Sequence, residues 1–124
     1  MKKLLITLLL VSPFSFADWG DVYYCQMTTL LSTTLEGKET KYKLDKFTFK
    51  LDKLKNAMVF GGRGTFKIHP MLKIVKGSDT TGPSKESWLA NSSIATAFFK
   101  EGKLLYSYVT TQTGSVISAD CEKF

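Results

Sequence analysis

The chain has 124 residues, with 17 lysine or arginine side chains against 11 aspartate or glutamate side chains and a formal net charge of +6. This length suits one domain with a single hydrophobic core. The positive charge is dispersed, whereas nucleic-acid-binding modules carry a dense basic stripe. One histidine and two cysteines fall short of the four ligands of a structural zinc site. We therefore expect no nucleic-acid partner, no metal and no cofactor.

The N-terminus has the pattern of a secretory signal peptide. Two lysines precede an apolar run over 4–11, and Ser-Phe-Ala at 15–17 supplies the small residues that a signal peptidase reads. We predict cleavage after Ala17. The apolar run is too short for a spanning helix, which needs about 20 residues. The mature protein, 18–124, is therefore expected in the periplasm or outside the cell, as a single domain without a transmembrane anchor.

The remainder of the chain alternates apolar and polar residues, which is the period of a β-strand. In 42–52, for example, Phe47, Phe49 and Leu51 share one face. β-Branched and aromatic residues dominate, and short polar or Gly-rich segments separate the runs. Strands are predicted over 22–35, 42–52, 57–60, 65–68, 72–75, 88–91, 94–100, 104–111 and 115–121.

About eight short strands joined by tight turns predict an all-β fold, a small antiparallel meander that closes into a barrel. A two-layer sandwich is the alternative. Cys25 and Cys121 lie in the first and last predicted strands, and export favours a disulfide between them. Closing so long a loop stabilises the domain by about 4–5 kcal/mol in the chain-entropy model. The two strands are neighbours if the meander closes, which favours the barrel.

The sequence contains no convincing catalytic set. His69 is the only histidine, and no nucleophile motif surrounds a serine. The carboxylates that are close in sequence lie near the ends of the domain, where they serve solubility. We predict no catalytic residue and rank a hydrolase last among the functions. These carboxylate pairs are Asp18 with Asp21 and Asp120 with Glu122.

Four residues are candidate ligand contacts. Arg63 is the sole arginine and lies in the Gly-rich turn 61–64, where a hairpin is expected rather than a phosphate cradle. The others are aromatic, and the many aromatic residues either fill the core or line a cavity for an apolar ligand. The polar loop 76–87 is a further candidate surface for contact with a macromolecule. The three aromatic candidates are Trp88, Tyr106 and Tyr108.

The layout of the chain resembles that of C-type lysozyme inhibitors of the bacterial envelope. The resemblance consists of Tyr23-Tyr24-Cys25 near the mature start, Cys121 near the end and a hairpin at 100–103. It implies a small β domain that acts by binding an enzyme. The serine-containing inhibitory loop of that family and its following lysine loop have no counterpart here, so no inhibitory residue is carried over.

The expected function is therefore that of an exported binding or interaction protein without enzymatic activity. The sequence does not identify its partner, and the candidates are another envelope protein and a small apolar ligand. Two alternatives stay open at this point. One is a small barrel that carries an apolar ligand among its aromatic residues. The other is an envelope inhibitor of the kind that the resemblance implies.

Overall fold

A computed structural model describes residues 17–61, 66, 70–76 and 87–124. The predicted signal peptide lies outside these ranges except for Ala17, and so do Arg63, His69 and most of the loop 76–87. In the described ranges there is no helix with the length and apolar character needed to cross a membrane.

The described chain folds into antiparallel β-structure that closes on itself. Each strand of the barrel pairs with its neighbours in the order β1-β3-β4-β5-β6-β7-β8-β9, and β9 pairs back with β1. The extra strand β2 pairs with the distal part of β1. The predicted barrel is confirmed, and the sandwich is not formed. The strands are β1 (Val22–Thr34), β2 (Glu39–Lys41), β3 (Lys46–Asp52), β4 (Ala57–Phe60), β5 (Met71–Lys76), β6 (Ser87–Asn91), β7 (Ala95–Lys100), β8 (Lys103–Val109) and β9 (Thr113–Lys123).

The barrel closes between β1 and β9, the two longest strands. Cys25 lies directly opposite Cys121 in this pairing. Their sulfur atoms are bonded at 2.06 Å, with 4.0 Å between the Cα atoms and 96 residues of sequence separation. The two cysteines are paired as predicted, and their disulfide joins the first and last strands of the barrel.

The segment that precedes β3 differs from the prediction. The strand predicted from residue 42 begins only at Lys46, and the short strand β2 was not predicted. Residues 42–45 instead run beside β1, where the Tyr42 N–H donates to the Leu30 carbonyl at 3.1 Å and the Met27 N–H donates to the Asp45 carbonyl at 2.9 Å. Tyr42 and Leu44 alternate with polar residues, but Asp45 and Lys46 are both polar, so the alternation changes phase where β3 begins. The strand predicted over 65–68 lies outside the described residues except for Phe66, which is buried outside any strand.

Aromatic rings occupy the barrel interior. Alternation along each strand turns one set of side chains inward, and the largest of them contact one another. The ring centroids of Phe60 and Phe66 are 4.6 Å apart, and those of Phe66 and Tyr106 are 5.0 Å apart. The ring centroids of Phe49 and Phe99 are 5.1 Å apart. These contacts are the offset and edge-to-face arrangements that aromatic pairs prefer. The buried aromatic residues are Tyr23, Phe49, Phe60, Phe66, Trp88, Phe99 and Tyr106.

The turn that follows the predicted cleavage site also packs against the core. Ala17 and Trp19 are partly buried there, and the Trp19 ring meets Trp88 edge-on at 5.0 Å. The Gly20 N–H donates to the Leu51 carbonyl at 2.7 Å. The turn is therefore attached to β3 and adds apolar contacts to the core.

Candidate binding site

The structure places two of the aromatic ligand candidates in the core. Trp88 and Tyr106 expose 0% and 1% of their surface. Tyr106 contacts the half-buried Tyr108 at 6.1 Å, whereas Trp88 packs separately against Trp19. The buried Nε1 of Trp88 has no hydrogen-bond partner among the described residues. Within these ranges the three aromatic candidates therefore do not converge on one site, and Arg63 lies outside them. Their role in ligand binding stays a prediction.

Burial also fixes the protonation of two interior phenols. Loss of solvation raises the pKa of Tyr106 to about 12, and the nearby Tyr108 adds to this shift. Loss of solvation likewise raises the pKa of Tyr23 to about 12, with a further contribution from Asp21. Both side chains therefore stay neutral above pH 10, where an exposed phenol ionises, which suits their place in the core.

The carboxylates singled out in the sequence have other partners. Asp21 Oδ2 accepts the Asp18 N–H at 2.8 Å and lies 3.1 Å from the Lys123 Nζ. Asp120 Oδ1 lies 2.6 Å from the Lys103 Nζ. The described residues contain no group of three or more acidic, histidine or cysteine side chains that could hold a metal ion. The structure thus uses Asp21 and Asp120 in hydrogen bonds and ion pairs.

The outer surface of the barrel has two hollows that share Thr28 as a lining residue. The first has a volume of about 260 Å³ and extends over β7, β8 and β9. The second has a volume of about 290 Å³ and lies between β1 and the connection to β3. We call the two hollows together the outer groove. The first is lined by Phe98, Lys100, Lys103, Leu105, Ser118 and Asp120, and the second by Leu30, Leu31, Lys41, Tyr42 and Leu44.

Strand pairing explains the apolar floor of the first hollow. Phe98 lies opposite Leu105, and Leu105 lies opposite Ser118. Their sequence neighbours Phe99, Leu104 and Ile117 are buried, so alternation turns this row toward solvent. Phe98 and Leu105 are 42% and 52% exposed. Two large apolar side chains therefore lie side by side on the outer surface.

Two irregularities of the sheet form the rest of the groove. The pairing of β1 with β9 shifts between Met27 and Thr29, which leaves Thr28 as an extra residue in a β-bulge. Its hydroxyl is 2.8 Å from the Ser118 hydroxyl. Beyond the bulge, the chain leaves β2 at Lys41 and enters β3 only at Lys46. The regular strand pairing is interrupted between these residues, and the second hollow lies at this interruption.

The groove carries positive charge near both ends. Lys41 lines the second hollow, and Lys100 and Lys103 line the first. Among the described lining residues Asp120 is the one acid, and Lys103 neutralises it. Lys41 and Lys100 form no ion pair with any residue in the described ranges. The groove thus combines an apolar floor with two cationic side chains that no described residue neutralises.

The sequence contains one signal for this surface that the prediction did not use. Phe98-Phe99 and Leu104-Leu105 are apolar doublets inside predicted strands, and successive strand residues point to opposite faces. One member of each doublet must therefore face outward, whereas the sequence-based prediction places Phe98 and Phe99 alike in the core or around a cavity. No protein-family model matches the chain, and no curated protein matches its sequence.

Proposed function

We propose that the protein is exported, loses its leader after Ala17, and acts in the periplasm or outside the cell by binding another protein at the outer groove. The observation that carries the proposal is the exposed pair Phe98 and Leu105, which lie opposite each other in a hollow on the outside of the barrel. An exposed apolar cluster rimmed by polar groups is typical of an interaction site. The proposed role is binding without catalysis.

The disulfide supports the proposed location outside the cytoplasm. Disulfides persist in oxidising compartments and are rare in the bacterial cytosol. The bond between Cys25 and Cys121, together with the leader pattern at 4–11 and 15–17, is what an exported protein of this size is expected to carry.

The packing of the interior favours an outer site over a carrier. A carrier needs an internal cavity, and the positions suited to line one here are occupied by rings in mutual contact, such as Phe60, Phe66 and Tyr106. The hollows that adjoin Thr28 have exposed side chains in their walls, and a partner can reach them without opening the barrel.

Site-specific photo-crosslinking in the exported fraction tests this proposal. A photoreactive amino acid is introduced at Leu105, or at Leu54 as the control, since Leu54 is fully exposed in the turn between β3 and β4. We expect a discrete crosslinked species from the Leu105 probe and none from the Leu54 probe. The measurement is the mass of the denatured adduct and of the unmodified chain, which should begin at Asp18 and contain the oxidised cysteines.

Two outcomes would contradict the proposal. Equal crosslinking from both positions would indicate nonspecific contact. Absence of a Leu105 adduct, combined with extra mass in the native spectrum that disappears on denaturation, would support the carrier instead.

A further inference from the structure

We propose that the outer groove binds an extended segment of another protein that combines acidic with apolar side chains. This inference rests on the proposed binding function and adds the chemistry of the partner. Three properties of the groove carry it: the charge near its ends, the composition of its floor and its length.

The charge selects an anionic partner. Lys41 and Lys100 lie in opposite hollows, and neither is neutralised by a described residue. Asp120 offers little charge to a cationic partner because its Oδ1 already pairs with the Lys103 Nζ at 2.6 Å. Complementary charges at the rim steer encounter and fix the register of a bound partner. Acidic side chains near both ends of the segment would therefore match the groove.

The floor selects apolar side chains near both ends and a backbone carbonyl in the middle. Phe98 and Leu105 form one apolar end, and Leu31, Tyr42 and Leu44 line the other. Between them Thr28 and Ser118 share one hydrogen bond at 2.8 Å. Each hydroxyl carries one proton, so one proton of the pair remains for a carbonyl of the bound segment.

The length indicates an extended segment. The groove runs from β7 across β8, β9 and β1 to the connection at 42–44. Neighbouring strands lie about 4.8 Å apart, so the distance is about 19 Å, which an extended chain spans with about six residues. A single small ligand in one hollow would not contact both Lys41 and Lys100.

Other occupants fit less well. A lipid surface is broad and cannot follow a floor that lies between the walls of a groove. A second copy of the mature chain would bring the same lysines and, after loss of Lys2 and Lys3 with the leader, a net charge of +4 (15 basic against 11 acidic side chains) against this positive surface. Like charges brought together in this way oppose association.

The test uses oxidised protein purified from the exported fraction and capped fluorescent peptides of about six residues. One peptide alternates glutamate with leucine or phenylalanine, and its counterpart has lysine in place of glutamate. Fluorescence anisotropy measures binding at low salt. We expect the glutamate peptide to bind about tenfold more tightly than the lysine peptide, with an affinity that falls as salt is added.

Variants locate the site. Lys41→Glu/Lys100→Glu reverses the charge of both lysines and should weaken binding of the glutamate peptide by about tenfold or more. Lys53→Glu/Lys55→Glu makes the same change in net charge in the turn between β3 and β4 and should leave it unchanged. Leu105→Asp tests the floor, with Leu54→Asp as its control. All four variants change exposed residues, and their melting curves establish that they fold.

Several results would overturn the inference. Two of them concern the peptides: equal affinity for both, or an equal loss of affinity in the control variants. The other two concern a different occupant: binding to phosphatidylglycerol vesicles but to neither peptide, or self-association that Leu105→Asp abolishes. A specific Leu105 crosslink with failure of the peptides would retain the binding function and reject the acidic segment. Failure of both would reject the binding function itself.

Discussion

At the scale of single residues, the protein uses buried tyrosines as apolar side chains. Tyr106 is 1% exposed and contacts Phe60 and Phe66 edge-on. Burial raises its pKa from 10.0 to about 12, because a phenolate loses its hydration in the core. The folded protein therefore holds the phenolic proton more tightly than the unfolded chain.

This difference predicts alkaline destabilisation. Below pH 10 Tyr106 is protonated in the folded and the unfolded state, and its contribution to the free energy of unfolding is fully present. Above pH 10 the phenol ionises first in the unfolded chain. The free energy of unfolding therefore falls between pH 10 and about 12. Tyr106→Phe should flatten that fall, while Tyr23 preserves part of it. Urea unfolding as a function of pH provides the measurement. Tyr42→Phe changes an exposed ring and is the control; an unchanged pH slope in Tyr106→Phe would contradict the prediction.

At the scale of elements, the turn between β7 and β8 is the shortest connection between barrel strands in the described ranges, with two residues between the strands. Glu101 and Gly102 both have positive φ, 49° and 77°, as the two central residues of a type I′ hairpin require. Glycine adopts this conformation without steric cost, whereas a glutamate does not. The Gly102 carbonyl also accepts the Cys121 N–H at 2.7 Å, so the turn is attached to the last strand.

Substitutions in this turn should act in opposite directions. Glu101→Asn should raise the free energy of unfolding by about 0.5–1 kcal/mol, because asparagine tolerates positive φ better. Gly102→Ala should lower it by about 1–2 kcal/mol, since its Cβ would stand 3.1 Å from the Cys121 carbonyl oxygen.

Gly114→Ala is the matched control for the turn, because nothing lies within 4 Å of the added Cβ. It should change the free energy of unfolding by less than about 0.5 kcal/mol. Equilibrium unfolding in urea measures all three variants. A Gly102→Ala protein as stable as Gly114→Ala would show that the turn tolerates a side chain.

At the scale of the whole molecule, closure of the barrel depends on strands from opposite ends of the described chain. β1 and β9 pair over almost their full length, and such distant segments meet only at a large cost in conformational entropy. The disulfide reduces that cost by keeping the two strands together in the unfolded chain. The disulfide therefore acts at the strand pairing whose formation costs the most conformational entropy.

Removal of the disulfide should be strongly destabilising. Cys25→Ala/Cys121→Ala, or reduction of the wild-type protein, should lower the free energy of unfolding by about 4–5 kcal/mol. That is a large part of the 5–15 kcal/mol typical of a domain. Urea unfolding of oxidised and reduced protein gives the value, and the double variant separates the effect of the bond from that of reductant. A loss below about 1 kcal/mol would show that hydrogen bonding between β1 and β9 suffices.

Much of the fold could be predicted because its signals are local. The alternation through Phe47, Phe49 and Leu51 predicts a strand with one buried face, and the structure has this strand as β3. The strand β2 was missed because all three of its residues are exposed, so no alternation marks it. The outer groove could be predicted only in part, from the apolar doublets Phe98-Phe99 and Leu104-Leu105.

The sequence by itself determined the all-β class and the inward set of side chains, because side-chain direction in a strand follows from the two-residue period. It also determined the pairing of Cys25 with Cys121, since the chain has only two cysteines. Tertiary structure alone decided the register across strands, which placed Phe98 beside Leu105 and Thr28 beside Ser118. Register joins residues far apart in the chain, and a bulge of one residue changes it, so no local pattern contains it.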